Sequence, residues 1–198
     1  MGHGAGRQVG RTVLVVAAAL GFGAIGCGDD SASTDMAAAA DLSGVVKSAK
    51  AAINETGGAQ GTATFEETTA GVKIHIALTS VPGDGMHGMH LHATGDCGES
   101  AFDGGTTHHG AAGGHFNPDM VNHGCPPASP HHAGDLGNIT ISSGAGTLDL
   151  TTSDLTVAAG TRSVVGKAII LHMSADDCMT QPTGNSGNRI GCAVITAN

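Results

Sequence analysis

Val72-Lys73-Ile74-His75-Ile76-Ala77-Leu78 sets Val, Ile, Ile and Leu against Lys73, His75 and Ala77 in strict alternation. A period of two puts the two sets on opposite faces, so the segment reads as a half-buried β-strand. Upstream, Phe65–Val72 (FEETTAGV) reads as a hairpin connection. Downstream, Ile139 and Ile141 precede Ser142–Gly146, and Leu148 and Leu150 follow, which reads as a second hairpin. Val164–Leu171 and Ile190–Ile195 are two further apolar strand candidates. Short strands separated by Gly-rich turns predict an all-β fold, an antiparallel sandwich or barrel.

Composition agrees. Of 198 residues 33 are Gly and 2% are aromatic, with no Trp or Tyr. The glycine content argues against a helical bundle, since Gly costs about 1 kcal/mol against Ala at each helix-interior position. With 40% hydrophobic residues, many β-branched, the chain is not disordered throughout. Net charge is −9, and beyond Cys27 six Lys and Arg face seventeen Asp and Glu. Such an acidic domain has no basic patch for nucleic acid and attracts no anion at long range.

The first 26 residues read as a secretion signal. Arg7 and Arg11 form a positive start, and Thr12–Gly26 is an apolar run, shorter than the roughly 18 residues that span a bilayer. The run ends in Ala24-Ile25-Gly26-Cys27, which resembles a bacterial lipobox with Cys27 as the lipidated residue; ordinary cleavage nearby is the alternative. Residues 27–41 are small, polar and acidic, and read as a flexible tether. The folded domain is expected over 42–198. Setting Cys27 aside leaves Cys97, Cys125, Cys178 and Cys192, an even set that export would allow to form two disulfides. Arithmetic alone does not choose among the three pairings.

Two stretches break the strand rhythm, Gly95–Gly137 and Ser174–Asn188. Structureless loops longer than about 15 residues inside a compact domain are usually functional. The first carries His115, His123, His132 and Asp135, whose three imidazoles and one carboxylate make a four-coordinate zinc set. Before it, His90 and His92 stand at i and i+2, on one face of a strand, where two neutral imidazoles suit copper or zinc. His172 follows the apolar run Ala168–Leu171. His108 and His109 are read as solvated loop residues rather than as an extra metal site, because Gly neighbours hold them poorly.

These motifs together resemble the copper/zinc superoxide dismutases. His87-Gly88-Met89-His90-Leu91-His92 with Gly95-Asp96-Cys97 is similar to that family's copper-binding strand. Gly113-Gly114-His115-Phe116-Asn117-Pro118 is similar to its bridging-histidine motif, and His132-Ala133-Gly134-Asp135-Leu136-Gly137-Asn138 to the end of its zinc loop. Gly166–His172 and Gly184–Cys192 resemble its two C-terminal signatures. The resemblance implies a Greek-key β-sandwich or flattened barrel with long metal-binding loops. It implies copper on His90, His92, His115 and His172, and zinc on His115, His123, His132 and Asp135. Asp176 would join a copper ligand to a zinc ligand, and Arg189 would hold the superoxide anion beside copper. Cys97 would pair with Cys192, which leaves Cys125 to pair with Cys178.

The implied activity is dismutation of superoxide to O2 and hydrogen peroxide by alternating copper reduction and oxidation, with one proton supplied through His115. The alternative is a non-enzymatic periplasmic protein that buffers copper or zinc on the same scaffold. The partners expected are superoxide, no nucleic acid, and a membrane only through the lipid anchor. Family members are homodimers or monomers, so a homodimer is one of two assemblies implied. Asp177–Thr183 contains no Lys, so cationic steering of the anion is expected to be weak.

Overall fold

The computed structural model describes residues 47–102 and 105–198, together with Gly2. The signal over 1–26, the tether over 27–41 with Cys27, and the domain start at Leu42 lie outside the described residues. The strands are β1 (Ser48–Asn54), β2 (Gln60–Thr68), β3 (Gly71–Thr79), β4 (Gly85–His92), β5 (Ser100–Phe102), β6 (Gly105–Thr107), β7 (Asp135–Ile141), β8 (Gly146–Thr152), β9 (Ala168–His172), β10 (Arg189–Val194) and β11 (Thr196–Ala197). Among the described residues the one helical element is a single 3-10 turn, Gly110–Ala112.

Two open antiparallel sheets carry the fold. One has the order β11-β1-β2-β3-β8 and the other β10-β9-β4-β7. The chain leaves the first sheet after β3, pairs β4 with β7 in the second, then returns to set β8 beside β3. That return is the Greek-key connection. A small β5–β6 hairpin stands apart in the first long loop.

The alternation that opens the sequence is β3, whose Val72, Ile74, Ile76 and Leu78 are all buried. With Phe65 they meet Met89, Leu91, Ile139, Ile141, Ile169 and Leu171 from the other sheet in one apolar core. Full burial of such a side chain contributes about 1.5–3 kcal/mol.

Three expectations change. Phe65–Thr68 belong to β2, and only Thr69 and Ala70 connect it to β3. The reason is register: Phe65 pairs with Ile74 and adds to the core row. The segment from Ile139 to Leu150 turns like a hairpin, with Ser142 bridged to Ala145, but β7 and β8 then join different sheets. The strand expected over Val164–Leu171 begins only at Ala168, and Val164 is buried in the preceding loop. No helix among the described residues is long and apolar enough to cross a membrane.

Candidate metal centre

Strand period decides where the first histidines point. On β4, Met89 and Leu91 face the core, so His90 and His92 face the outer side of the second sheet. Beside them on β9, Ile169 and Leu171 face the core and His172 lies with Ile170 on the outer side. All three histidines are nonetheless buried. The cover is the two long loops that the sequence leaves without periodicity.

The first loop comes back along β4. Phe116 N–H donates to the Leu91 carbonyl, Ala93 N–H to that of Gly114, and Leu91 N–H to that of Gly134. This sets His115 opposite His92 in an isolated antiparallel bridge. Gly134 is required at the crossing, since a Cβ there would collide with the Leu91 carbonyl. Two disulfides hold the cover: Cys97–Cys192 ties the first loop to β10, and Cys125–Cys178 joins the two loops.

Two side-chain clusters result, each with its ligand atoms within 4.8 Å of one another: His90, His92, His115 and His172, then His115, His123, His132 and Asp135. His115 belongs to both. Every member is buried.

Hydrogen bonds aim the rings. His92 Nδ1 donates to the Gly113 carbonyl (2.8 Å) and His172 Nδ1 to that of Gly187 (3.1 Å). This leaves the two Nε2 atoms facing each other at 3.4 Å. His90 donates from Nε2 to Asp176 Oδ2 (2.8 Å), which leaves Nδ1 buried and without a partner. His115 Nδ1 lies 2.8 Å from Asp135 Oδ1, and its Nε2 is likewise buried and orphaned. Buried polar atoms without partners are rare. Four imidazole nitrogens freed in one dry cluster are the donor set that copper takes. In the second cluster Asp135 is approached by His115, His123 and His132 at 2.8, 3.0 and 3.3 Å. Three nitrogens and one carboxylate are the closed tetrahedral set of a structural zinc site.

Asp176 lies between the clusters. Its Oδ2 takes His90 and its Oδ1 takes His123 Nε2 (2.9 Å). Asn138 holds its backbone from both sides. Gly184 packs against it so closely that a Cβ would overlap Asp176 and His123. Sequence reading placed Gly184 and Asn138 within motifs but gave neither a role, since neither carries a ligand and only the folded loops bring them to Asp176.

The titration of these groups follows from their surroundings. Burial lowers His115 to about 4 and, with help from His90, His172 to about 3. Burial, then His115, His172 and Arg189, pushes His92 well below the ordinary value, and burial also lowers His90 despite Asp176. The first cluster is therefore neutral and ready to ligate. Burial opposes charge on His123 too, but the carboxylates of Asp135 and Asp176 outweigh it and raise the ring to about 9. Burial would raise Asp135 and Asp176; bonds from their histidines instead hold both well below the usual carboxylate range.

Arg189 is buried at the edge of the first cluster. Its Nη1 donates to the His109 carbonyl and its Nη2 to that of Gly113, both at 2.7 Å. His87 is bound to the carbonyls of His172 and Gly83, and His131 to Ala128 and Asp154, outside both clusters. His109 corrects the sequence reading. It is 5% exposed rather than solvated, because its ring is drawn under the first loop by a 2.7 Å bond from Nδ1 to the Cys97 carbonyl.

Residues 59–195 match the family described as copper/zinc superoxide dismutase (SODC). The chain is 39% identical over 150 residues to a Cu-Zn superoxide dismutase of Deinococcus radiodurans, covering 73% of this chain and 81% of that one. It is 32% identical over 141 residues to an extracellular Cu-Zn superoxide dismutase of Caenorhabditis elegans, covering 68% of this chain and 60% of that one. Among solved structures, a double mutant of a SOD-like protein from Bacillus subtilis superposes with a TM-score of 0.61 at 31% identity, covering 73% of this chain and 94% of that one.

Proposed function

The chain belongs to the copper/zinc superoxide dismutase family and converts superoxide to O2 and hydrogen peroxide with copper and zinc; we propose that His90, His92, His115 and His172 hold the copper and His115, His123, His132 and Asp135 the zinc. One observation carries the assignment: the two four-residue clusters share His115 and no other residue. Copper supplies the one-electron redox change that dismutation needs, while zinc, which has no redox chemistry, supplies a fixed charge.

The protein's own groups do the rest. Arg189, always charged, holds the incoming anion beside the first cluster, its planar head fixed by two carbonyls. His115 Nε2, buried and without a partner, would take a proton from solvent and pass it on as one of the two that the peroxide product requires, the other coming from solvent directly. Asp176 keeps the proton of His90 on Nε2, so that Nδ1 stays free to ligate. The two loops bury every residue of both clusters.

A non-enzymatic metal buffer on this scaffold is not favoured. It has no use for an arginine fixed beside the first cluster, and both relatives above carry the enzyme's name. The two disulfides and the extracellular relative support export. The lipobox-like run before Cys27 supports a lipid anchor on that residue, which mass spectrometry of the membrane fraction from a Cys27→Ser strain would test.

The deciding experiment reconstitutes the protein with copper and zinc and measures dismutation and metal content for the wild type, His115→Ala and Arg189→Ala. Arg189→Ala is expected to keep both metals and lose at least about tenfold in rate, an anion contact being worth about 1.4 kcal/mol or more. His115→Ala is expected to lose activity and weaken both metals. Full activity in either variant overturns the assignment of that residue.

A further inference from the structure

A third group of ligating side chains lies outside both clusters. Glu55 follows β1, and His108 and His109 stand between β6 and the 3-10 turn; their ligand atoms all lie within 4.8 Å of one another. His109 donates from Nδ1 to the Cys97 carbonyl, so its Nε2 carries the lone pair. The side chain is 6% exposed, and Nε2 has no hydrogen-bond partner. Yet Nε2 lies 3.0 Å from Glu55 Oε1, an oxygen already accepting the Cys192 N–H. A lone pair set against a carboxylate in a largely buried place is repulsive unless the two share a proton or a metal ion. His108 completes the group. Its ring centroid is 3.8 Å from that of His109, across a backbone held left-handed at His109 (φ 56°). His108 Nε2 is 3.8 Å from Glu55 Oε2, and on the outer side Glu99 Oε1 is 3.8 Å from Nδ1.

We propose that Glu55, His108 and His109 form a third metal site, for a divalent ion of the zinc type. Two imidazoles and one carboxylate are a three-ligand set that leaves a fourth position to water. The half-exposed His108 is the mouth of the site, with the Glu99 carboxylate 3.8 Å away on its outer side. The site is joined to the anion contact, because the carbonyl of His109 holds Arg189.

The test is equilibrium dialysis of the copper- and zinc-loaded protein against buffered Zn2+, with bound metal counted by mass spectrometry. Wild type is expected to take up one zinc more than His108→Ala, a change at an exposed side chain that leaves the fold alone. Glu55→Gln keeps the acceptor for Cys192 N–H and removes the charge, and is expected to weaken the same zinc at least about tenfold. The result is read as the difference between wild type and variant, so it does not depend on how fully the other clusters are loaded. Equal zinc content and affinity in wild type and His108→Ala would overturn the proposal; a proton on His109 would then be what relieves the contact with Glu55.

Discussion

Arg189 and His92 donate to the same oxygen, the Gly113 carbonyl, at 2.7 and 2.8 Å. The proposed anion contact and a proposed copper ligand are thus positioned by one peptide group. Gly113 has φ 74° and ψ −155°, a conformation essentially confined to glycine. Gly113→Ala forces that peptide to turn at a cost of about 1–3 kcal/mol. We expect it to lower kcat/KM and copper affinity together while zinc content stays unchanged, checked by steady-state dismutation and metal analysis of one preparation.

Asp176 is the corresponding device between the clusters, accepting a hydrogen bond from His90 Nε2 and another from His123 Nε2. An amide in its place offers one acceptor oxygen for two donors. Asp176→Asn should weaken metal binding about 10–100-fold, the usual cost of losing such a support. Competition with a chelator of known affinity measures it, and unchanged affinity would remove Asp176 from this role.

The acidic surroundings of His123 predict a proton count. With its ring raised to about 9 in the metal-free protein, His123 is charged at pH 7 and must lose a proton to ligate. Zinc binding at pH 7 should release about one proton, and at pH 10 close to none. Calorimetry in buffers of different ionisation enthalpy reads this directly.

Both disulfides close long segments, with sequence separations of 95 and 53. On the chain-entropy account each contributes about 4–5 kcal/mol, an upper estimate for a folded domain. The Cys97→Ser/Cys192→Ser pair should lower the Tm of the metal-free protein. The Cys125→Ser/Cys178→Ser pair should in addition weaken zinc, because that bridge joins the loops carrying His123 and Asp176.

Asp84 gives an acid signature away from the metals. Its carboxylate accepts the Ser143 and Gly144 N–H groups, which lowers its pKa from 3.8. A depressed carboxyl stabilises the fold above its unfolded value, and the contribution disappears as pH falls through the folded one. Asp84→Asn should therefore unfold at lower denaturant than wild type at pH 7, with the gap closing below about pH 3.8. A gap that persists at pH 2 would assign the effect to the turn rather than to the charge.

Much was legible in the sequence, for a definite reason. Alternation along Val72–Leu78 and the i, i+2 spacing of His90 and His92 are local properties, and strand geometry turns them into faces without help from distant residues. Shared motifs brought the remaining proposed metal ligands, Asp176, Arg189 and both cysteine pairings. Contacts that no motif carries were not legible. The two-sheet split of β7 and β8, the Gly113 carbonyl serving Arg189 and His92, the fit of Gly184 against Asp176, and the burial of His109 beside Glu55 all join residues far apart in sequence. No periodicity records them, because glycine loops take their shape from what they are pressed against. Residue type and spacing determined the sheet faces and the chemistry available; only the packing of two loops over one sheet face decided which polar atoms lost water and which nitrogens were left free.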